Sequence, residues 1–449
     1  MNSKFHEIDP RWAWRRYEPG GESPWNKRRA AHLFRRAGFG ADTALLNEAI
    51  SSSPEELIEQ LVVGVDSSAF TGQMNQMMRT LAAGNNPRNL ASGWLYRMRY
   101  TPNPLHEKMA LFWHGHFATS GAKVEQPELL LNQNELFRRH ALGNFGQLVL
   151  AIARDPAMLL YLDSATNRKS HPNENFAREL LELFCLGLGA YSERDIQELA
   201  RCFTGWEVNQ GKFRFNHYQA DTGVKSIFAE HGGFTGDDGV RVVLEQPATS
   251  RFIVRKLLRF FVADGDFPEA LVEPLAAQFR ADGLQLAGVM RTILGSELFF
   301  SEQVAGQKVR SPVEFGIGLL CGLDATANLN MLAEELGALG QSLYFPPNVK
   351  GWDGGKSWIN SATILGRGNL ARRLLTNSET RFGGRKLPEY LAGQGVVEAE
   401  AGLNRLLELF VAIPIPDSSH ARLLELARRG DAWADVLHAI TVLPEFQLS

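Results

Sequence analysis

The segment HPNENFARELLELFCLGLGAYSERDIQELARCFTGW, residues 171–206, places its polar and apolar side chains at helical spacing. On a helix that begins near residue 173, the two kinds of side chain occupy opposite faces. The polar face carries Glu174, Asn175, Arg178, Glu179 and Glu182, and the apolar face carries Phe176, Leu180, Leu183 and Phe184. The pattern predicts an amphipathic helix with Asn173 as its N-cap and a candidate site on the polar face.

The same segment contains signals for a second helix. Gly187 and Gly189 can end the first helix, and Ser192 with Asp195 three residues later has the spacing of a capping box. Apolar residues then recur at helical spacing until the Thr-Gly-Trp sequence that ends at Trp206. The segment therefore predicts a helical hairpin that carries a band of charge.

Helical periodicity continues through most of the chain. Further helices are predicted at residues 30–39, 54–63, 105–117, 144–162, 250–262 and 331–340. The best strand candidate lies between residues 213 and 243, where Gly and Asp interrupt short runs such as VRVVL. The sequence predicts a mainly α, multi-helical fold of two or three packed lobes, with a small irregular or β insertion near residues 207–245.

Three lobes are predicted along the chain. Residues 1–100 form an N-terminal helical lobe, residues 101–300 a central lobe that carries the motifs, and residues 301–449 a C-terminal helical lobe. The Pro- and Gly-rich loop PPNVKGW, residues 346–352, is expected to fold back on the central lobe.

Composition narrows the class of protein. The chain has 449 residues, of which 44% are hydrophobic and 22% charged, so it can bury a large core. Its formal net charge of −3 gives no general electrostatic case for binding nucleic acid. Three widely separated cysteines without a CxxC spacing disfavour disulfides and structural zinc. With no signal sequence and no apolar run of about 18 to 20 residues, we expect a cytoplasmic protein without membrane insertion.

Several motifs span nearly the whole chain: HLFRRAGFGA (32–41), LHEKMALFWHGHF (105–117), NENFARELLELF through FTGW (173–206), SPVE (311–314), LYFPPNVKGWDGG (343–355) and WINSATILGR (358–367). Together, and in this order, they resemble the bacterial DUF1800 family, whose activity is unknown. The resemblance implies that these polar motifs are hallmark positions and that neighbouring genes often encode a secreted, sulfatase-like protein. It supplies no catalytic residue or cofactor. A family pattern His-Asp-x-Gly-x-Lys is stretched here, because three residues separate His217 from the segment Asp221 to Lys225.

His114 and His116 have the spacing of a metal-binding HxH sequence. Residues two apart on a regular helix diverge by about 200°, so one ion could bind both rings only where the helix ends. The alternative is that His116 faces the core with one hydrogen bond, while His114 is exposed or contacts another lobe. The sequence identifies neither a metal nor a cofactor.

The carboxylates of the first helix also allow two interpretations. Glu174, Glu179 and Glu182 could act as an acid, a base or metal ligands, because carboxylates brought together in a cleft acquire separated pKa values. Alternatively, Glu174, Arg178 and Glu182 form an i,i+4 ladder worth about 0.2–0.5 kcal/mol per pair. We favour ion pairing for Glu182, and the predicted catalytic residues are Glu179, Glu174, His116 and His217.

Aromatic and polar residues near helix ends are the candidates for ligand binding. Trp206 and Trp352 each follow a glycine turn, where an indole can stack on a sugar or fill a gap between lobes. The predicted substrate-binding residues are Asn175, Arg178, Arg201, Trp206, Lys225, Asn348 and Trp352. The chain lacks the GxxxxGK[ST] nucleotide motif and the GxSxG nucleophile motif.

Two functions agree with these patterns. The first is an enzyme-like polar cleft that performs acid/base hydrolysis or group transfer on a polar, glycan-like or anionic substrate. The alternative is a binding or escort protein that assists the secreted sulfatase-like partner, in which case an exposed apolar patch would carry the function. A pocket with converging polar groups would favour the first function, and co-purification with the partner the second.

Overall fold

The fold is mainly α-helical, as the sequence predicts. A computed structural model describes residues 5–21, 23–429 and 432–449. The helices of its N-terminal half are α1 (Pro10–Ala13), α2 (Lys27–Ala37), α3 (Thr43–Ala49), α4 (Pro54–Val63), α5 (Ser68–Ala82), α6 (Asn89–Tyr100), α7 (Pro104–His116), α8 (Pro127–Arg139), α9 (Phe145–Ala153), α10 (Pro156–Tyr161), α11 (Asn175–Glu179) and α12 (Glu193–Cys202). Those that follow are α13 (Gly236–Leu244), α14 (Pro247–Phe261), α15 (Glu269–Ala281), α16 (Leu286–Leu294), α17 (Pro312–Gly322), α18 (Leu329–Ala338), α19 (Ser361–Thr376), α20 (Leu387–Gly393), α21 (Ala399–Phe410), α22 (Asp417–Ala427) and α23 (Trp433–Thr441).

The strands form small antiparallel pairs. They are β1 (Trp206–Asn209) with β2 (Lys212–Phe215), β3 (Lys225–Ile227) with β4 (Glu230–Gly232), and β5 (Ala325–Thr326) with β6 (Arg381–Phe382). The first two pairs confirm a small β insertion after residue 206. The VRVVL run, expected to be a hairpin or loop, is instead part of α13. Thr235 and Asp238 form a capping box there, and the buried Val240 and Val243 are three residues apart, so helical packing overrides β propensity.

The predicted helices are found with small changes of boundary. Helix α4 has the predicted bounds, and its capping box of Ser53 and Glu56 explains why its start could be read from the sequence. The helix predicted at residues 144–162 is divided into α9 and α10. Pro156 cannot donate a main-chain hydrogen bond inside a helix, and Asp155 caps the new start by accepting from the main-chain N–H of Met158 at 2.9 Å.

The helical hairpin of residues 171–206 forms, with two corrections. Glu174 rather than Asn173 is the N-cap residue, while the Asn173 side chain accepts a hydrogen bond from the main-chain N–H of Asn175 at 2.9 Å. The first helix also changes to a π-helical turn over residues 180–185, where i→i+5 hydrogen bonds replace the regular pattern. The predicted capping box of Ser192 and Asp195 starts α12.

One continuous cluster of buried apolar side chains extends from Phe5 to Phe446. The PPNVKGW loop lies against the end of α7, where Gly351 has a φ of 80° and an added Cβ would overlap the carbonyl oxygen of Gly115. The lobe boundaries at residues 100 and 300 stay predictions. None of the helices in the described residues is both long and apolar enough to cross a bilayer.

Candidate functional site

A cavity of about 790 Å³ lies where the end of α7 and the end of α14 meet three loops, residues 264–266, 306–311 and 350–358. Its apolar lining includes the rings of Phe112, Phe260, Trp352 and Trp358. Because α7 and the loop are joined through the close contact of Gly115 with Gly351, the Trp352 indole lies beside Gly115 at the end of the helix. Concave, partly aromatic cavities of this size are typical of small-molecule sites.

Five cationic side chains also line the cavity: Lys256, Arg259, Lys308, Lys350 and Lys356. Lys256 and Arg259 lie on successive turns of α14, and neither forms an ion pair with another described residue. Lys350 pairs with Asp353 at 2.7 Å, and both of these side chains are exposed. One wall of the cavity therefore carries positive charge that the neighbouring side chains leave uncompensated.

The environment of Lys256 changes its proton affinity. Burial is the main cause that lowers its pKa, to about 8, and the positive charges of Arg259 and Lys350 add to that effect. Its ammonium group also lies 5.2 Å from the centroid of the Phe252 ring. A lysine in this state is protonated at neutral pH but gives up its proton more readily than an exposed lysine.

The floor of the cavity contains a buried ion-pair cluster. Glu314 binds the Lys108 ammonium at 2.6 Å and the Lys308 ammonium at 3.4 Å, and it also accepts the main-chain N–H of Ser311 at 2.7 Å. These groups hold the pKa of Glu314 well below its usual range, even though burial opposes them. Burial lowers the pKa of Lys108 to about 8, although Glu314 raises it. Both partners are therefore charged at neutral pH.

Further buried cations surround Glu314. Burial lowers the pKa of three guanidinium groups, those of Arg36, Arg310 and Arg367. The negative charge of Glu314 opposes this effect by raising each of these pKa values. Main-chain carbonyl oxygens accept their hydrogen bonds, such as Val262 for Arg36 at 2.7 Å. Asp264 also acts on Arg36, so five cations face two carboxylates and the floor has an excess of positive charge.

His114 and His116, in the last turn of α7, have opposite tautomers. Nε2 of His116 lies 3.0 Å from the main-chain carbonyl oxygen of Phe184, so it must donate, while Nε2 of His114 accepts the main-chain N–H of Tyr344 at 3.1 Å. Burial lowers the pKa of His114 to about 3, and burial together with Lys256 lowers the pKa of His116 well below its usual range. The structure thus has His116 facing the core with one hydrogen bond, and His114 is buried and contacts Tyr344, within residues 301–449, rather than being exposed.

Of the predicted site residues, His116 and Trp352 line this cavity. Asn348 lies exposed on the loop that carries Trp352, and its side chain accepts the main-chain N–H of Lys350 at 2.9 Å. These three residues are therefore brought to one region by α7 and the PPNVKGW loop.

A second group of predicted residues lies around the β insertion. Arg201 binds Asp221 at 2.8 Å, and the buried Lys225 ammonium donates to the carbonyl oxygens of Asp221 and Gly223 at 2.7 and 3.1 Å. Both side chains thereby fix the loop that follows β2. Trp206 is buried at the start of β1, and His217 is exposed on the loop.

The polar face of α11 forms a third group. Arg178 binds Glu174 at 3.2 Å as predicted, but its other partner is Glu193 at 2.9 Å rather than Glu182, because the π-helical turn changes the angular spacing after residue 179. Asn175 is exposed. Glu179 is half-buried, and burial followed by the charge of Glu182 raises its pKa.

Sequence patterns did not identify Lys256, Arg259, Lys308 or Asp264, which line the cavity. The charged residues of α14 have the spacing of a solvent-exposed helix face, so the sequence contained no local signal for them. Among the residues that the structure describes, no three His, Cys, Asp or Glu side chains are grouped as a metal site requires.

A family model described as "Protein of unknown function (DUF1800)" matches residues 32–448. No curated protein and no solved structure matches the chain.

Proposed function

This chain belongs to the DUF1800 family, and we propose that its 790 Å³ cavity binds a polar, glycan-like or anionic molecule and catalyses acid/base hydrolysis or group transfer on it. The observation that carries the proposal is the position of Lys256 on the wall of a cavity lined by indoles. Its pKa there is lowered to about 8. Titratable groups with shifted pKa values in such clefts are frequently functional.

Each side of the cavity supports one part of the proposal. The partly exposed indole of Trp352 offers a flat apolar surface on which a sugar ring can stack, and the buried Trp358 completes the apolar wall. Lys256 is protonated at neutral pH and can donate a proton, and the carboxylate of Asp264 lines the same cavity. Asp264 also accepts the main-chain N–H of Val309 at 2.7 Å, which orients its carboxylate.

In the hydrolysis that we propose, a water oxygen bonds to the transferred group as the bond to the leaving oxygen breaks. The Lys256 ammonium gives one proton to the leaving oxygen, and Asp264 takes one proton from the water. Exchange with solvent water then removes the proton from Asp264 and supplies one to the Lys256 amine, so the side chains regain their starting states. His116 is neutral and bound to the Phe184 carbonyl, so it is assigned to shaping the cavity wall.

The test is a panel of p-nitrophenyl glycosides, phosphate esters and sulfate esters, with release of p-nitrophenol as the measurement. We expect turnover of at least one class by the unmodified protein and a loss of about 100-fold or more in Lys256→Met and Asp264→Asn, as is usual for a general acid or base. Lys212→Met, which changes an exposed lysine at the start of β2, is the matched control and should keep full activity. Equal rates in Lys256→Met and Lys212→Met would refute the proposed chemistry.

Glu174, Glu179 and His217 remain predicted catalytic residues, and the same panel tests them. Glu179→Gln keeps the side-chain volume and removes the charge. A loss of activity in Glu179→Gln with full activity in Lys256→Met would move the proposed chemistry from the cavity to the polar face of α11.

A second candidate function is the binding or escort of a secreted, sulfatase-like partner. It is favoured by three exposed apolar side chains on and after β2, namely Phe215, Tyr218 and Val224, which are 47%, 81% and 72% exposed. The ion pair of Arg201 with Asp221 fixes the loop that presents them, and fixed aromatic anchors are common at protein interfaces. In this role we expect the protein to meet its partner in the cytoplasm before export.

Co-expression with the neighbouring gene and affinity purification test this second function. We expect co-purification that Tyr218→Ser weakens, because an exposed tyrosine of this kind is a typical binding anchor. Tyr96→Ser, at another exposed tyrosine, is the control. Absence of a complex at micromolar concentrations would argue against an escort role.

A further inference from the structure

The charges on the polar wall of the cavity indicate which part of the proposed ligand class it binds. Lys256 and Arg259 have no ion-pair partner among the described residues, and both face the region that Lys350 approaches from the opposite loop. Mutual repulsion of these cations, together with burial, makes it harder to keep Lys256 protonated. An anion between them would remove that repulsion.

The carboxylates of the cavity do not supply this anion. Glu314 binds Lys108 and Lys308 on the floor, and Asp353 binds Lys350 on the exposed side of the loop. Asp264 lies next to Gly355 and binds the main chain of residue 309. Asp266 is exposed at the rim, and no carboxylate is close enough to raise the pKa of Lys256.

The floor adds to the positive potential. Lys108, Lys308 and three buried arginines share Glu314, and the second carboxylate near them, Asp264, acts on Arg36, so the cations outnumber the carboxylates. In a cavity with low-dielectric aromatic walls, such an excess acts over a longer range than it would in water. A ligand that carries a full negative charge is therefore favoured over a neutral one.

We propose that the wall formed by Lys256, Arg259 and Lys350 is a subsite for a tetrahedral oxyanion, the phosphate or sulfate ester group of the ligand. The inference rests on the proposed function, because it assigns the charged group of the molecule that the cavity binds. Arg259 offers a planar set of N–H donors, and the two lysines offer ammonium groups that approach from different elements. The partly exposed indole of Trp352 remains available to the ring that bears the ester.

Calorimetric titration of the full chain with matched probes tests this subsite. The probes are inorganic phosphate, inorganic sulfate, glucose 6-phosphate, galactose 6-sulfate and the two parent sugars. We expect at least one ester to bind about tenfold or more tightly than its parent sugar. The parent sugar lacks the charged group that forms the charge-assisted hydrogen bonds. The preferred ester, phosphate or sulfate, identifies which oxyanion the subsite takes.

Variants distinguish binding at this subsite from nonspecific attraction of the anions to surface cations. Lys256→Met and Arg259→Gln should each weaken ester binding about tenfold or more and leave the affinity for the parent sugar unchanged. Lys212→Met should bind every probe as the unmodified protein does. Trp352→Ala should weaken the binding of esters and parent sugars alike, because the indole is assigned to the ring.

The subsite is refuted if neither inorganic ion nor either ester binds at millimolar concentration, or if the esters bind no better than the parent sugars. It is also refuted if Lys256→Met and Lys212→Met bind the esters equally, which would indicate a surface effect. Turnover of uncharged glycosides without ester preference would leave the proposed function standing. Ester binding that depends on Lys256 without any turnover would support the subsite and remove the proposed chemistry.

Discussion

Nε2 of His116 lies 3.0 Å from the main-chain carbonyl oxygen of Phe184, which belongs to the π-helical turn of residues 180–185. The carbonyls at a helix end lack partners within the helix, so the imidazole satisfies a group that would otherwise be buried and unpaired. The contact joins α7, which lines the cavity, to the helix that carries Glu179.

Replacing His116 with phenylalanine should therefore destabilise the protein. The variant keeps a ring of similar shape but leaves the Phe184 carbonyl without a donor, which costs about 1–3 kcal/mol. Urea unfolding followed by circular dichroism measures the change. His217→Phe, at an exposed position, should change the free energy of unfolding by less than about 0.5 kcal/mol. Equal stability of the two variants would show that the carbonyl finds another partner.

The contact between Gly351 and Gly115 predicts a difference between two glycines of one loop. Gly351 and Gly354 have similar positive φ values of 80° and 74°, but an added Cβ at Gly351 overlaps the Gly115 carbonyl, while one at Gly354 meets no atom within 4 Å. Gly354→Ala should cost only the backbone strain, about 1–2 kcal/mol, and Gly351→Ala clearly more. Thermal unfolding measures both, and equal losses would contradict the close contact.

How much the sequence predicts depends on whether the signal is local. The start of α4 and of α12 follow from capping boxes at Ser53 and Ser192, which act within one helical turn. The π-helical turn has no such signal, since it depends on how the Phe184 region packs against α7. The sequence pattern indicates a regular helix there, and with it an Arg178 to Glu182 pair that the turn prevents.

The candidate site depends mostly on contacts between distant segments. His116 and Trp352 could be selected from the sequence because each lies in a distinctive motif, HGH or KGW. Lys256 could not, since its environment is set by Phe252 on its own helix and by Lys350 from a loop almost 100 residues later. No spacing rule links these positions, because only the packing of α14 against that loop brings them together.

Asp155 predicts a dependence of stability on pH. It caps α10 and accepts from the Gln133 amide at 2.8 Å, but burial raises its pKa from 3.8 to about 7. Its ionised form is therefore disfavoured in the folded state. Asp155 makes its whole contribution to the free energy of unfolding below pH 3.8, and this contribution decreases as the pH rises to about 7. Asp155→Asn should remove this dependence and become the more stable protein above pH 7, by up to about 4 kcal/mol.

Unfolding of Asp155→Asn and of the unmodified protein between pH 4 and pH 8 checks the prediction. The difference in the free energy of unfolding should grow across this range and level off near pH 7. Asp417→Asn, at an exposed position, is the control and should follow the unmodified protein. A constant difference across the range would mean that the Met158 and Gln133 hydrogen bonds keep the carboxylate ionised throughout.

The buried pair of Lys108 and Glu314 predicts strong coupling between two substitutions. Glu314→Gln leaves the fully buried Lys108 side chain without its carboxylate partner, which costs about 3–5 kcal/mol. Lys108→Met alone leaves Glu314 with Lys308 as its one ammonium partner and should cost less. The double variant should recover part of the loss, because it removes both desolvated charges. A double-mutant cycle from urea unfolding measures the coupling.

The pH at which the cycle is measured matters because the pKa of Glu314 is held well below its ordinary value of 4.5. A depressed carboxyl pKa contributes stability that is present above pH 4.5 and is lost as pH falls further. The coupling should therefore be constant between pH 6 and pH 7 and shrink in acid. Additive effects of the two substitutions at pH 7 would show that the surrounding arginines, rather than Lys108, determine the state of Glu314.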